Sequence, residues 1–142
     1  MSKVYFSLQE ANEMIKRITK DVERLVQLRD EVSVLDNTKI EFDEDSVENV
    51  LLEVELNKSF HEKSFELYSI LGLLIRRGCI IKDLDELEID FYSRLGDREI
   101  LFCWMPGEKT ISFWHEPGQN KNKRRSIKLI ENSYIENLKR LR

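Results

Sequence analysis

Leu71-Gly72-Leu73-Leu74-Ile75-Arg76-Arg77-Gly78-Cys79-Ile80-Ile81 is where the side-chain rhythm of this chain changes. Before Gly78, apolar residues return in steps of three and four; after it they come in short runs and two-residue alternations. Arg76 and Arg77 suit the last turn of a helix, and Gly78 suits the left-handed position just beyond it. Reading backwards, Val47, Val50, Leu51, Val54, His61, Phe65, Tyr68, Leu71, Leu74 and Ile75 predict one helix, opened by the cap Asp45-Ser46-Val47-Glu48. An earlier helix starts at Ser7-Leu8-Gln9-Glu10, whose S-x-x-E form is a capping box, with Phe6 and Ala11 placed as a hydrophobic staple. Its seam runs Leu8, Ala11, Ile15, Ile18, Val22, Leu25, Leu28, Val32 and Leu35. Residues 36–45 connect the two, with a short extended piece expected at Ile40 and Phe42. The result is an antiparallel hairpin roughly 40–45 Å long, from a 1.5 Å rise per residue. Its remaining apolar stripe needs cover from the C-terminal half, from a second copy, or from a partner helix.

Downstream, Cys79-Ile80-Ile81 reads as a short strand, and Leu87, Ile89 and Phe91 alternate with Glu88 and Asp90 as a half-exposed strand would. Ile100-Leu101-Phe102-Cys103-Trp104-Met105 and Ile111-Ser112-Phe113-Trp114-His115 flank Pro106-Gly107-Glu108-Lys109. With Gly107-Glu108 as a two-residue type II′ turn, Ile100, Phe102, Trp104, Ile111, Phe113 and His115 share one face, and Leu101, Cys103, Met105, Ser112 and Trp114 the other. Ser133-Tyr134-Ile135-Glu136 repeats the capping pattern ahead of a short terminal helix. The expected fold is α+β: a long N-terminal helical hairpin over 1–78, a small antiparallel sheet over 79–116, and a basic loop with a short C-terminal helix over 117–142, all in one domain.

The length, 142 residues, suits one core of the usual size, on the order of 100–200 residues. With 5 Gly, 2 Pro and 35% charged residues, collagenous and low-complexity readings fall away. The longest apolar run, Ile70 to Ile75, is far short of the roughly 18 residues that span a bilayer. No membrane partner is expected, a cytoplasmic location is, and Cys79 and Cys103 are read as reduced thiols. Charge is uneven. Residues 121–142 hold eight basic and two acidic side chains, a local +6, leaving −10 over residues 1–120. A basic tail on an acidic body implies an intramolecular clasp or an anionic partner. The total of −4 argues against a nucleic-acid partner, although Lys121, Lys123, Arg124, Arg125 and Lys128 offer a weak phosphate-binding run over 121–128.

Candidate chemistry is sparse. Cys103 and His115 are the residue types for a soft metal or for a nucleophile with its base, but the register above sets them on opposite faces. C-x-x-C and H-x-x-x-H spacings do not occur, so neither a metal nor another cofactor is expected. Asp83 to Asp90 lacks the central Gly and final Glu of a calcium loop, with Arg94 in the last position. His61, one turn after Asn57, reads as a polar pair inside the helical seam. Asp83, Asp90, Glu99, Cys103, Trp104, Glu108, Trp114, His115 and Arg125 are the polar and aromatic groups that a ligand pocket would use, gathered on strand ends and loops.

Gly78-Cys79-Ile80-Ile81-Lys82-Asp83-Leu84, Asp90-Phe91, Gly96-Asp97-Arg98-Glu99-Ile100-Leu101-Phe102-Cys103-Trp104, Gly107-Glu108 and Phe113-Trp114-His115-Glu116 together resemble the prokaryotic family catalogued as domain of unknown function 2203. The opening Tyr5-Phe6-Ser7-Leu8-Gln9-Glu10-Ala11-Asn12 is similar to that family's start. The resemblance covers most of residues 5–127 and implies a helical hairpin followed by a compact β region, with no assigned activity. The chain departs after Glu116, where the family tends to carry a Gly-aromatic-x-Gly-Arg stretch and this one has Pro117-Gly118-Gln119-Asn120 and a Lys-rich run; Arg125 is the candidate for the family's Arg. The expected function is a non-enzymatic interaction or self-association module, a dimer or a partner-helix binder. A small-molecule-binding protein or enzyme, and a weak nucleic-acid binder, are the alternatives. The sequence assigns no reaction.

Overall fold

The computed structural model describes residues 3–38 and 46–128. The expected extended piece at Ile40 and Phe42 and the expected terminal helix after Ser133 lie outside those residues. The fold is α+β: α1 (Leu8–Asn37) and α2 (Val47–Arg76), then an antiparallel sheet in chain order of β1 (Ile80–Asp83), β2 (Glu88–Leu95), β3 (Arg98–Trp104), β4 (Phe113–His115) and β5 (Arg125–Ser126). A 3-10 turn at Lys121–Lys123 precedes β5. The chain divides into two compact units, Met1–Thr19 with Leu74–Arg142, and Lys20–Leu73.

Both helices start where their caps place them. Glu10 N donates to Ser7 Oγ at 3.1 Å and Ser7 N donates back to Glu10 Oε1 at 3.1 Å, so two orphan amides are satisfied reciprocally. At α2, Asn49 N donates to Ser46 Oγ at 3.2 Å. The end of α2 is a Schellman motif: Cys79 N reaches Leu74 O and Gly78 N reaches Ile75 O, both at 3.0 Å, with Gly78 at φ +93.

In the unit Lys20–Leu73 the two helices run antiparallel. Arg24 grips Glu66 with two bonds of 2.8 and 2.7 Å, and Lys63 meets Glu31 at 2.6 Å. Val22, Leu25 and Leu28 are buried, continuing the seam predicted for α1. The stripe expected on α2 turns out differently. Leu67, outside that stripe, is the buried residue of α2 in this unit, whereas Val47, Val50, Leu51, Val54, Phe65 and Tyr68 are exposed. Asn57 and His61 are exposed too, so they are not a polar pair inside the seam. The period of the stripe identified the helix; the Arg24–Glu66 and Glu31–Lys63 bridges lie on the face that α2 turns to α1.

In the other unit, Phe6 N donates to Tyr92 O at 2.7 Å and Ser93 Oγ to Phe6 O at 2.6 Å, which docks the N-terminal segment against β2. The Phe6 ring meets Phe91 edge-on at 5.3 Å. Ile111 N donates to Asn12 Oδ1 at 2.8 Å, tying the first turns of α1 to the chain ahead of β4. β2 and β3 are joined by the two-residue turn Gly96-Asp97, with Leu95 opposite Arg98 and Gly96 at φ +64.

The β3–β4 connection corrects the expected register. Phe102 pairs with Trp114, Leu101 with His115 and Cys103 with Phe113. A Gly107-Glu108 hairpin would have set Phe102 opposite Phe113, one residue away. The reason is the turn type: Glu108 N donates to Met105 O at 3.1 Å, so Pro106 and Gly107 are the central residues, with Gly107 at φ +99. Proline at the second position and a positive-φ glycine at the third make a type II turn, which leaves Met105–Ser112 as a longer loop. A one-residue slip exchanges the faces of β4 relative to β3. Cys103 and His115 therefore share one face.

Candidate functional site

On a strand, alternate residues share a face, and directly opposed residues on neighbouring strands share it too. Asp90 is opposite Cys103, Cys103 is opposite Phe113, and His115 lies two residues on from Phe113. Glu88 lies two residues before Asp90. These four side chains consequently converge on one face of β2, β3 and β4. Leu87, at φ +55, turns the chain into β2 immediately ahead of Glu88. Glu88 and Asp90 are buried, not on the solvated side of a half-exposed strand as their alternation suggests; Asp90, Cys103 and His115 have no exposed surface at all.

His115 Nε2 lies 2.9 Å from Asp90 Oδ2 and 3.9 Å from Glu88 Oε1, and Cys103 Sγ donates to Glu88 Oε1 at 3.5 Å. The other ring nitrogen, Nδ1, donates to the Glu116 carbonyl at 3.0 Å, because a carbonyl oxygen can only accept. That same carbonyl accepts from Gln119 N at 3.1 Å across the turn Pro117-Gly118, and Gln119 Oε1 accepts from Glu116 N at 3.1 Å. A second proline-glycine turn thus fixes the ring of His115 from behind. Lys82 Nζ donates to Gln119 O at 2.7 Å and stands 3.3 Å from Asp90 Oδ2. Asp90 Oδ1 has no hydrogen-bond partner among the described residues. A cavity of about 380 Å³ adjoins the group, lined by Lys82, Asp83, Glu88, Asn120 and Lys121.

This arrangement does not make a nucleophile. Burial, then the Asp90 and Glu88 carboxylates, hold the Cys103 thiol well above the usual thiol range. Its hydrogen bond runs to Glu88, while His115 uses Nε2 on Asp90 and Nδ1 on the backbone, so neither ring nitrogen of His115 activates the sulfur. Cys79, outside the group, is also a buried free thiol, pushed up to about 12 by burial.

Of the residues singled out from the sequence, Asp90, Cys103 and His115 come together, and Asp83 lines the adjoining cavity, its Oδ1 accepting from Asp85 N at 2.9 Å. The others stand apart. Glu99 is held by Lys3 at 3.0 Å and Tyr5 at 2.9 Å near the β2–β3 turn. Trp104 Nε1 donates to the Glu108 carbonyl at 2.8 Å, and Glu108 Oε1 accepts from Met105 N at 2.7 Å and Arg124 at 3.1 Å, which makes Trp104 and Glu108 both part of the loop architecture. Trp114 lies on the opposite sheet face from His115, with the Arg125 guanidinium 5.3 Å from its ring. Glu88 was missed, because it reads as the solvated half of an alternating strand. Among the basic residues of 121–128, Lys121 pairs with Glu86, Arg124 with Glu108, and Arg125 with Glu116 at 4.0 Å.

Among the described residues no helix is long and apolar enough to cross a membrane. No curated protein and no solved structure matches the chain. Over residues 4–127 the chain matches the family described as uncharacterized conserved protein (DUF2203), most of its length, and it belongs to that family.

Proposed function

We propose that this protein is a ligand-binding protein whose binding centre is the buried group Glu88, Asp90, Cys103 and His115, reached through the cavity beside Glu88. The observation that carries this reading is Asp90 Oδ1, a fully buried carboxylate oxygen without a partner among the described residues. An unmade hydrogen bond at such an atom costs about 1–3 kcal/mol, which a ligand offering a cation or a donor would recover. The centre is rich in acceptors, so it favours a compact ligand of cationic or donor character over an anion. The two free cysteines fit a reducing compartment, the cytoplasm. No reaction is assigned to the site.

The test is titration of the isotope-labelled chain, followed by amide resonances, with a panel of small cations, amines, amides and anions. Shifts centred on Asp90, Cys103 and His115 with saturation are expected. A panel that leaves those amides in place overturns the reading.

A second reading, self-association through α2, is favoured by a separate observation. Val47, Leu51, Val54, Lys58, His61, Phe65, Tyr68, Gly72 and Ile75 recur in strictly alternating steps of four and three, and all but Gly72 are exposed. That is the spacing of a coiled-coil seam.

A further inference from the structure

Resting on the reading that this centre binds a ligand, we propose that the ligand is one divalent first-row transition-metal ion of the zinc type, held by Glu88, Asp90, Cys103 and His115. One donor atom from each of the four side chains lies within 4.8 Å of all the others. Metal bonds of about 2.0–2.3 Å to oxygen, nitrogen and sulfur place the donors of a tetrahedral shell roughly 3.3–3.7 Å apart. The separations present bracket that value: 2.9 Å for His115 Nε2 to Asp90 Oδ2, 3.5 Å for Cys103 Sγ to Glu88 Oε1, and 3.9 Å for His115 Nε2 to Glu88 Oε1. Side-chain movements of about 1 Å, which draw the widest donors in from as much as 4.8 Å, close the shell.

The donor set selects the class of ion. Calcium and magnesium take shells of oxygen, and a thiol with an imidazole among four donors suits the borderline metals instead. The supports around the donors have the form such a centre requires. His115 Nδ1 is committed to the Glu116 carbonyl, the outer hydrogen bond that fixes a histidine ligand and leaves Nε2 for the metal. Three anionic donors around a dication leave one excess negative charge, and the Lys82 ammonium, seated between Asp90 Oδ2 and the Gln119 carbonyl, offsets it from beside the donors. On binding, the S–H bond of Cys103 breaks and a sulfur–metal bond forms, the hydrogen between His115 Nε2 and Asp90 Oδ2 is displaced as those two atoms turn to the metal, and both protons leave to solvent, with no change of oxidation state. Four protein donors complete the shell, the closed form that holds an ion in place.

The experiment uses the full chain, stripped with a chelator and then titrated with zinc by calorimetry and with cobalt(II) by absorption. One ion per chain, a thiolate-to-cobalt charge-transfer band and a raised unfolding temperature are expected. Cys103→Ser should abolish the band, and Asp90→Asn should weaken zinc binding by at least about tenfold. Circular dichroism checks that each variant folds. If neither does, the wild-type band and stoichiometry decide. Absence of stoichiometric binding, or cobalt bound without the thiolate band, overturns the proposal. Should other compounds still move the amides of Asp90, Cys103 and His115 while metals do not, the metal assignment fails alone; should nothing move them, the ligand-binding reading fails with it.

Discussion

Gly78 stands at φ +93, and a Cβ added there would lie 3.0 Å from both Cε2 and Cζ of Phe6 and 3.3 Å from Cβ of Val4. Two costs therefore fall on one atom: the left-handed backbone that an L side chain resists, and a ring that is itself packed edge-on against Phe91. Gly107 provides the control, since it has φ +99 but nothing among the described residues within 4 Å of its would-be Cβ. Gly107→Ala should cost about 1 kcal/mol through backbone strain alone. Gly78→Ala should cost clearly more, up to about 3 kcal/mol, because the steric cost adds to the strain. Urea denaturation of the two variants beside the wild type measures both. Equal losses would show that the Phe6 ring yields freely and does not define the end of α2.

At the scale of elements, the decisive piece is the loop Met105–Ser112, because its turn sets the register of β4 on β3. Glu108 organises it. One carboxylate oxygen takes both Met105 N and Arg124, the Glu108 amide closes the turn onto Met105 O, and its carbonyl takes the Trp104 indole. Glu108→Ala should leave the part-buried Met105 amide unsatisfied and release Arg124, at a cost of about 1–3 kcal/mol. Hydrogen exchange should speed up at Met105 and through β4 while the amides of α1 keep their protection. An unchanged Met105 amide would show that the backbone bond alone holds the turn. The same loop marks how far the sequence could be read. The caps at Ser7 and Ser46, the end at Gly78 and the strands β1 to β4 were legible, since each depends on neighbours within five residues, whereas β5 fell in the stretch 117–142 expected to be a basic loop and short helix. Which face of β4 met which face of β3 depended on Pro106-Gly107 being preferred to Gly107-Glu108 as the turn centre, a difference of one position with opposite consequences for Cys103 and His115. The burial of Glu88 and Asp90 was hidden for another reason. Alternation identifies a polar face, but only the loop carrying Glu116 to Gln119 shows that this face is covered, and buried polar clusters are where local rules give way to function.

For the whole molecule, the question is what the outer stripe of α2 does. Val47 and Phe65 are each 76% exposed, and Tyr68 68%. A contiguous apolar stripe of this kind is unusual for a surface that meets only water. Its spacing suits a helix as the partner, and its own sequence suits a second copy laid antiparallel. Centred on His61, such a pairing sets Val47 against Ile75 and Val54 against Tyr68, with Glu48 beside Arg76 of the second copy at each end. Lys58 and His61 put polar groups at the middle, which weakens the pair and favours a reversible dimer. Sedimentation velocity should thus show a mass rising with concentration toward twice 17.0 kDa. Phe65→Glu with Tyr68→Lys, at positions whose side chains already face solvent, should return the chain to a monomer without altering its circular dichroism. A chain that stays monomeric at every concentration would remove self-association and leave the stripe without a second copy to cover it. A dimer that survives the double substitution would move the contact off α2.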